Sequence, residues 1–119
     1  MIATTALCIL VPWIAVNSRA VALLMAEFAR RHVERGARWG RIVNVSSEAH
    51  RNGTLDFDNL GFERGYVGFK AYARSKLAVV LFSYELARRL EGTEVTANAL
   101  HPGHVATDIF KDDFGWLGP

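Results

Sequence analysis

Two short apolar runs stand on either side of one long amphipathic pattern, and that arrangement leaves few folds open. The first, Gly40-Arg41-Ile42-Val43-Asn44-Val45-Ser46-Ser47, is β-branched and bounded by glycine and serines, which predicts a short buried strand. The second, Val95 to Leu100, predicts another and ends in the turn His101-Pro102-Gly103. Between them, Ala71, Ala78, Val79, Phe82, Leu86 and Leu90 recur at helical spacing, so a helix is expected from about Lys70 to Leu90. Leu81 and Tyr84 widen its apolar surface. Arg88 and Arg89 suit its negative end, and Gly92 provides a stop. A helix carrying the chain from the end of one strand to the start of the next makes the strands parallel, joined by a right-handed crossover.

A second helix precedes the first strand. From about Ile14 to Glu34, Val16, Ala20, Leu23, Leu24 and Phe28 form an apolar stripe, with Gly36 as a stop. Asn17 lies near its start, where asparagine commonly caps or faces solvent. Upstream, Ala6-Leu7-Cys8-Ile9-Leu10-Val11 has the composition of a buried strand that Pro12 would end. The stretch from Glu48 to Phe69 is irregular, broken by Asn52-Gly53, Gly61, Gly65 and Gly68. Its apolar Leu55, Phe57, Leu60 and Phe62 suggest that it packs on something or covers a pocket. Helix, strand, loop, helix, strand is the second half of a doubly wound α/β sheet, in one partial domain over residues 1–119. Such sheets bind ligands outside the carboxyl ends of their strands. Ser46-Ser47 and His101-Pro102-Gly103 lie at those ends, and the helix following Ser47 carries Tyr72 in its first turns.

Tyr72 and Lys76 stand four apart in Tyr72-Ala73-Arg74-Ser75-Lys76, so both side chains share one helical face. A free tyrosine loses its proton near pH 10, too high for acid–base work at neutral pH. A positive charge about 4 Å away at an effective dielectric of about 20 favours the phenolate by roughly 4 kcal/mol. That is enough to bring a tyrosine into working range.

Half the residues are hydrophobic and 22% are charged, a globular balance that excludes a disordered chain. The net charge is +2, and the arginine clusters at residues 30–31, 35–41 and 88–89 read as solvated helix ends. They have no aromatic interleaving to suggest nucleic-acid binding. Cys8 is the lone cysteine, so neither a disulfide framework nor a thiolate metal site is expected. The apolar run from Met1 to Val16 has no basic leader and is too short for a bilayer span, which predicts a cytoplasmic protein. His101 and His104, three apart in a loop, are expected to be solvated or hydrogen-bonded; no further cluster completes a metal site. Ser47 with His101 has no G-x-S-x-G elbow to suggest hydrolysis.

The words GRIVNVSS (residues 40–47), YARSK (72–76) and HPGHVAT (101–107), with Asn17 ahead of them, resemble in order the signatures of the short-chain dehydrogenase/reductases. The resemblance covers roughly residues 14–117. It implies a Rossmann-like fold and interconversion of an alcohol and a carbonyl with NAD or NADP. It implies that Tyr72 is the general acid/base and that Lys76 tunes it and holds the nicotinamide ribose. Ser47 would hydrogen-bond the substrate oxygen, and Asn17 would support a water relay to Lys76. Pro102, Gly103, Val105 and Thr107 would contact the nicotinamide end, while Ser46 is left as a strand-end cap.

The long segment between Ser47 and Tyr72, with SSEAH and SKLAVVLF beside it, resembles the retinol-dehydrogenase-like branch and implies a lipophilic small-molecule substrate. The first helix instead resembles bacterial oxoacyl-reductase-like members. The family's glycine-rich TGxxxGxG fingerprint, which cradles the cofactor diphosphate, is absent from the sequence, as is an NNAG-like strand end before Asn17. The chain thus resembles the carboxyl-terminal part of such an enzyme. Two functions from different classes follow: an oxidoreductase, or a non-catalytic remnant or assembly module whose two long helices pair with another subunit. Homo-oligomerisation through those helices is implied in either case.

Overall fold

A computed structural model describes residues 14–104. The strand expected at residues 6–11, the lone Cys8, and the candidate residues Val105 and Thr107 lie outside that range. Strand β1 (Gly40–Val45) pairs in parallel with β2 (Val95–Leu100), in register from Gly40 opposite Val95 to Val45 opposite Leu100. Helix α1 (Val21–Glu34) precedes β1, and helix α2 (Gly68–Arg89) joins β1 to β2. The chain is α/β, a partial Rossmann-like arrangement of the expected kind. The second strand has the predicted bounds, the first ends two residues early, and α2 begins two residues sooner than predicted.

The period-two alternation of the strands decides which side is core. Ile42, Asn44, Val95 and Ala97 point inward and are buried, while Val43, Val45, Thr96 and Asn98 are exposed. Both helices lie on the inward face. Met25 and Ala29 of α1 and Leu86 of α2 meet Ile42, Val95 and Ala97, joined by Leu90 just past the end of α2. Gly92, at φ +81°, turns the chain back after α2 in the left-handed region that glycine enters without penalty.

Two departures from the sequence expectations concern the first helix. Its opening turn, Ala15–Ala20, is π-helical and runs straight into α1. Ser18 Oγ in this turn donates to the Ser75 carbonyl of α2 at 3.0 Å. A widened turn of this kind leaves backbone groups free of the regular ladder and is frequent near functional sites. The buried face also differs from the expected stripe. Val21, Met25 and Ala29 pack inward, whereas Val16, Leu23, Leu24 and Phe28 are exposed, Leu24 at 71%. The helix is apolar on more than one side, so spacing alone could not select the side the sheet covers. Among the described residues no helix is long and apolar enough to cross a membrane.

A polar pair lies in the core. Asn44 Nδ2 donates to Ser83 Oγ at 2.6 Å, and Ser83 Oγ donates to the Val79 carbonyl at 2.7 Å. A buried amide left without its acceptor costs about 1–3 kcal/mol, whereas removing both partners together is nearly neutral. Ser83→Ala should therefore lower the unfolding free energy in urea by about 1–3 kcal/mol, and Asn44→Leu/Ser83→Ala by much less. Equal losses in the single and double variants would show that the pair does not pin β1 to α2.

Candidate functional site

The carboxyl end of β1 is fastened to α2 by consecutive residues. Asn44 reaches Ser83, as above. The Val45 carbonyl accepts from Lys76 Nζ at 3.3 Å, and Ser46 Oγ donates to the Lys76 carbonyl at 2.9 Å. Lys76 is thus held at both ends, by its amine and by its backbone, against the last residues of the strand. The ammonium lies 5.8 Å from the Tyr72 ring centroid, over the face of the ring, as the four-residue spacing requires. Burial of this half-covered amine disfavours its charged form and pulls its proton affinity below the 10.5 of an ordinary lysine.

Tyr72 is buried at 7% exposure and packs with Ala49, Ala73 and Phe69. Ala49 belongs to the 3₁₀ turn Glu48–Asn52 that follows Ser47. The hydroxyl of Ser47 accepts from the Ala49 N–H at 3.2 Å and so caps this turn. The cap expected of Ser46 is made by Ser47, and Ser46 instead ties strand to helix. A hydroxyl that accepts one bond keeps its own proton to donate, so capping leaves Ser47 able to reach an oxygen acceptor.

Asn17, in the π-helical turn, lines a cavity of about 430 Å³ together with Val16, Val21, Val45, Lys76 and Val79. The structure thus brings Asn17 and Lys76 to one cavity, beside the strand end that leads into Ser47. Pro102 and Gly103 follow the carboxyl end of β2 and are exposed. His101 does not stand alone there: its Nε2 lies 3.1 Å from Glu48 Oε2, and its ring is 5.8 Å from that of His50. This contact links the loops that leave the two strands. His104 is exposed, and among the described residues no cluster could hold a metal ion.

Sequence reasoning missed Arg74. It sits inside the YARSK word, yet only 5% of it is exposed. Its guanidinium donates to the carbonyls of Thr54, Asn59 and Leu60 and stacks on the Phe62 ring. An arginine at a helix surface gives no local sign of burial, because its acceptors are main-chain groups many residues upstream.

Comparison with known proteins follows the same lines. The sequence model of the family described as short chain dehydrogenase matches residues 10–117. Human retinol dehydrogenase 14 is 55% identical over 69 residues, which are 58% of this chain and 20% of that protein. Human retinol dehydrogenase 13 is 54% identical over 70 residues, again 58% of this chain and 21% of that one. Dehydrogenase/reductase SDR family member 13 of Bos taurus is 52% identical over 84 residues, covering 66% of this chain and 22% of its own length. The chain spans about a fifth of the length of these curated relatives. A crystal structure of an uncharacterized protein from Mycobacterium paratuberculosis superposes with a TM-score of 0.54 at 41% identity. It covers 63% of this chain and 29% of that one.

The lysine environment is open to direct measurement. In NMR titration of the ¹³C-methylated protein, Lys76 should lose its proton at a pH below 10.5. Below that midpoint the folded amine carries the proton at a desolvation cost. Stability should therefore rise with pH between the folded-state midpoint and 10.5, where the unfolded chain binds more protons. A midpoint at or above 10.5 would show that the amine is not desolvated as described.

Proposed function

This chain belongs to the short chain dehydrogenase family, and from that premise we propose that its site interconverts an alcohol and a carbonyl with NAD or NADP. The observation that carries the reading is the placement of Lys76. Its amine is half-buried at the end of β1, over the Tyr72 ring, and on the same cavity as Asn17. A lysine serving only as a surface charge would have no need of that position.

In this reading Tyr72 gives its proton to the carbonyl oxygen in reduction and takes it back in oxidation. The adjacent ammonium of Lys76 stabilises the negative charge that the phenol oxygen carries in between. Ser47, held by the turn it caps, donates its hydroxyl proton to the same substrate oxygen and orients it. Asn17 supports a water path that resupplies the proton by way of Lys76.

The residues present fit one end of the cofactor. An amine, an amide and apolar valine walls around a cavity of about 430 Å³ suit a ribose and a nicotinamide ring, with Pro102 and Gly103 following the neighbouring strand end. Val105 and Thr107 complete that set in the sequence. When bound, the nicotinamide supplies or accepts the hydride. No strand-to-helix glycine turn that would cradle the diphosphate is present among the described residues, so the chain should hold NAD(P) weakly. The relatives named for retinol support a lipophilic alcohol or aldehyde as substrate.

A second reading, assembly through the helices, is favoured by the exposed apolar residues Leu23, Leu24 and Phe28 of α1 with Leu81 and Tyr84 of α2. Sedimentation equilibrium tests it: a monomer at micromolar concentration removes it.

The oxidoreductase reading is tested by following absorbance at 340 nm with retinal and NADH or NADPH. Tyr72→Phe should reduce kcat/KM by about a hundredfold or more with an unchanged circular dichroism spectrum. Unchanged turnover would take Tyr72 out of the reaction.

A further inference from the structure

The turns that leave β1 and β2 are joined by side chains beyond the last hydrogen bond of the sheet. Strand pairing runs one residue past β1, where the Ser46 N–H donates to the Leu100 carbonyl at 2.7 Å. From there the two segments leave side by side, one into Ser47 and the 3₁₀ turn Glu48–Asn52, the other into His101-Pro102-Gly103. The second exit has little burial to hold it. His101 to His104 are all exposed, Gly103 has φ +75°, and a Cβ there would meet nothing within 4 Å. Pro102 has no N–H to offer a neighbouring segment. Segments with few buried contacts open locally at low free energy, so this turn depends on polar contacts for a fixed place.

The first turn supplies such contacts. His50 Nδ1 lies 2.6 Å from the Ser47 carbonyl. A carbonyl can only accept, so this nitrogen carries the proton and the ring is fastened to the Ser47 main chain. Glu48 is oriented in the same turn, its Oε1 accepting from Arg51 Nε at 2.9 Å. Its other oxygen lies 3.1 Å from His101 Nε2, and the His101 ring rests 5.8 Å from that of His50, within aromatic contact range. His101 therefore meets two side chains that the Ser47 turn already holds. Ala49, between them in sequence, packs on Tyr72. The turn that receives His101 is thus bounded by Ser47 and by Tyr72. Glu48 and His101 keep 37% of their side-chain surface exposed, so the pair adds little to global stability and its effect is local.

We infer that His101 is a positioning residue: by pairing with Glu48 and resting on His50 it holds the Pro102–Gly103 turn in a fixed place relative to Ser47. The side that meets the nicotinamide end and the side that meets the substrate oxygen are thereby kept in register. The inference rests on the oxidoreductase reading above and gives His101 no contact with substrate or cofactor. The contact with Glu48 requires an N–H donor on the side chain at position 101. Glutamine carries one in its amide, whereas leucine fills a similar volume and offers none.

The test uses the full chain with His101→Gln, His101→Leu, Glu48→Ala and Glu48→Ala/His101→Leu, and two readouts. In ¹⁵N relaxation, the Gly103 and His104 amides should have order parameters of about 0.8 in the parent and in His101→Gln. They should fall below about 0.6 in His101→Leu and Glu48→Ala, while the β1 and β2 amides keep theirs. In retinal reduction, KM for NADH or NADPH should rise about fivefold in His101→Leu, with kcat and the KM for retinal within about twofold of the parent. His101→Gln should restore it, and the double variant should be no worse than His101→Leu alone. Order parameters unchanged by His101→Leu overturn the inference, as does a fall in kcat with the cofactor KM unchanged, or losses that multiply in the double variant. If the parent chain reduces no retinal, the oxidoreductase reading fails on its own account. The order parameters, and their recovery in His101→Gln, then decide whether His101 holds the turn.

Discussion

The stitching of the end of β1 to the middle of α2 sets every other distance in this site. Asn44, Val45 and Ser46 each make a hydrogen bond to α2 or its side chains, at Ser83, Lys76 Nζ and the Lys76 carbonyl. A strand and a helix meeting only through apolar contacts can slide by a fraction of an ångström at little cost, because burial is not directional. Hydrogen bonds between buried or half-buried groups remove that freedom, since a slipped partner leaves a polar atom unpaired. Ser47 is the next residue after this seam, and Tyr72 lies one helical turn before Lys76. Their relative placement is inherited from the seam.

The same interactions explain why Lys76 is bonded at two points. Its backbone carbonyl receives Ser46, and its amine bonds the Val45 carbonyl. The side chain is thereby extended along the strand end and partly desolvated, where its charge acts over a short distance in a medium less polar than water. Desolvation also makes the charge costly, and the lowered proton affinity of the amine reflects that cost. Tyr72 is enclosed by Ala49 and Phe69, so the loop that follows Ser47 takes part in shaping the phenol's surroundings.

Much of this was legible in the sequence, for identifiable reasons. The first strand announced itself because its β-branched residues fell between glycine and serine boundaries, and the second because its apolar run ended in the turn His101-Pro102-Gly103. The shared face of Tyr72 and Lys76 follows from helix geometry alone. Three features were not legible. Asn44 sits at an inward position that a binary pattern assigns to an apolar residue, and its partner lies on another element. Arg74 resembles any helix-surface arginine until the loop carbonyls are in place around it. On α1 the pattern contained more than one apolar side, and only the packed sheet selects Val21, Met25 and Ala29 over Leu23, Leu24 and Phe28. In each case the missing information is a contact between segments distant in the chain.

The central claim is that Ser47 and Tyr72 act on one substrate oxygen as a unit. A double-mutant cycle on kcat/KM for retinal reduction, with Ser47→Ala, Tyr72→Phe and the pair, tests it most directly. Groups acting together on one atom give strongly non-additive losses, so the double variant should be about as impaired as Tyr72→Phe alone. If the two losses instead multiply, the hydroxyl and the phenol act independently, and the proposed pairing of Ser47 with Tyr72 on one oxygen fails.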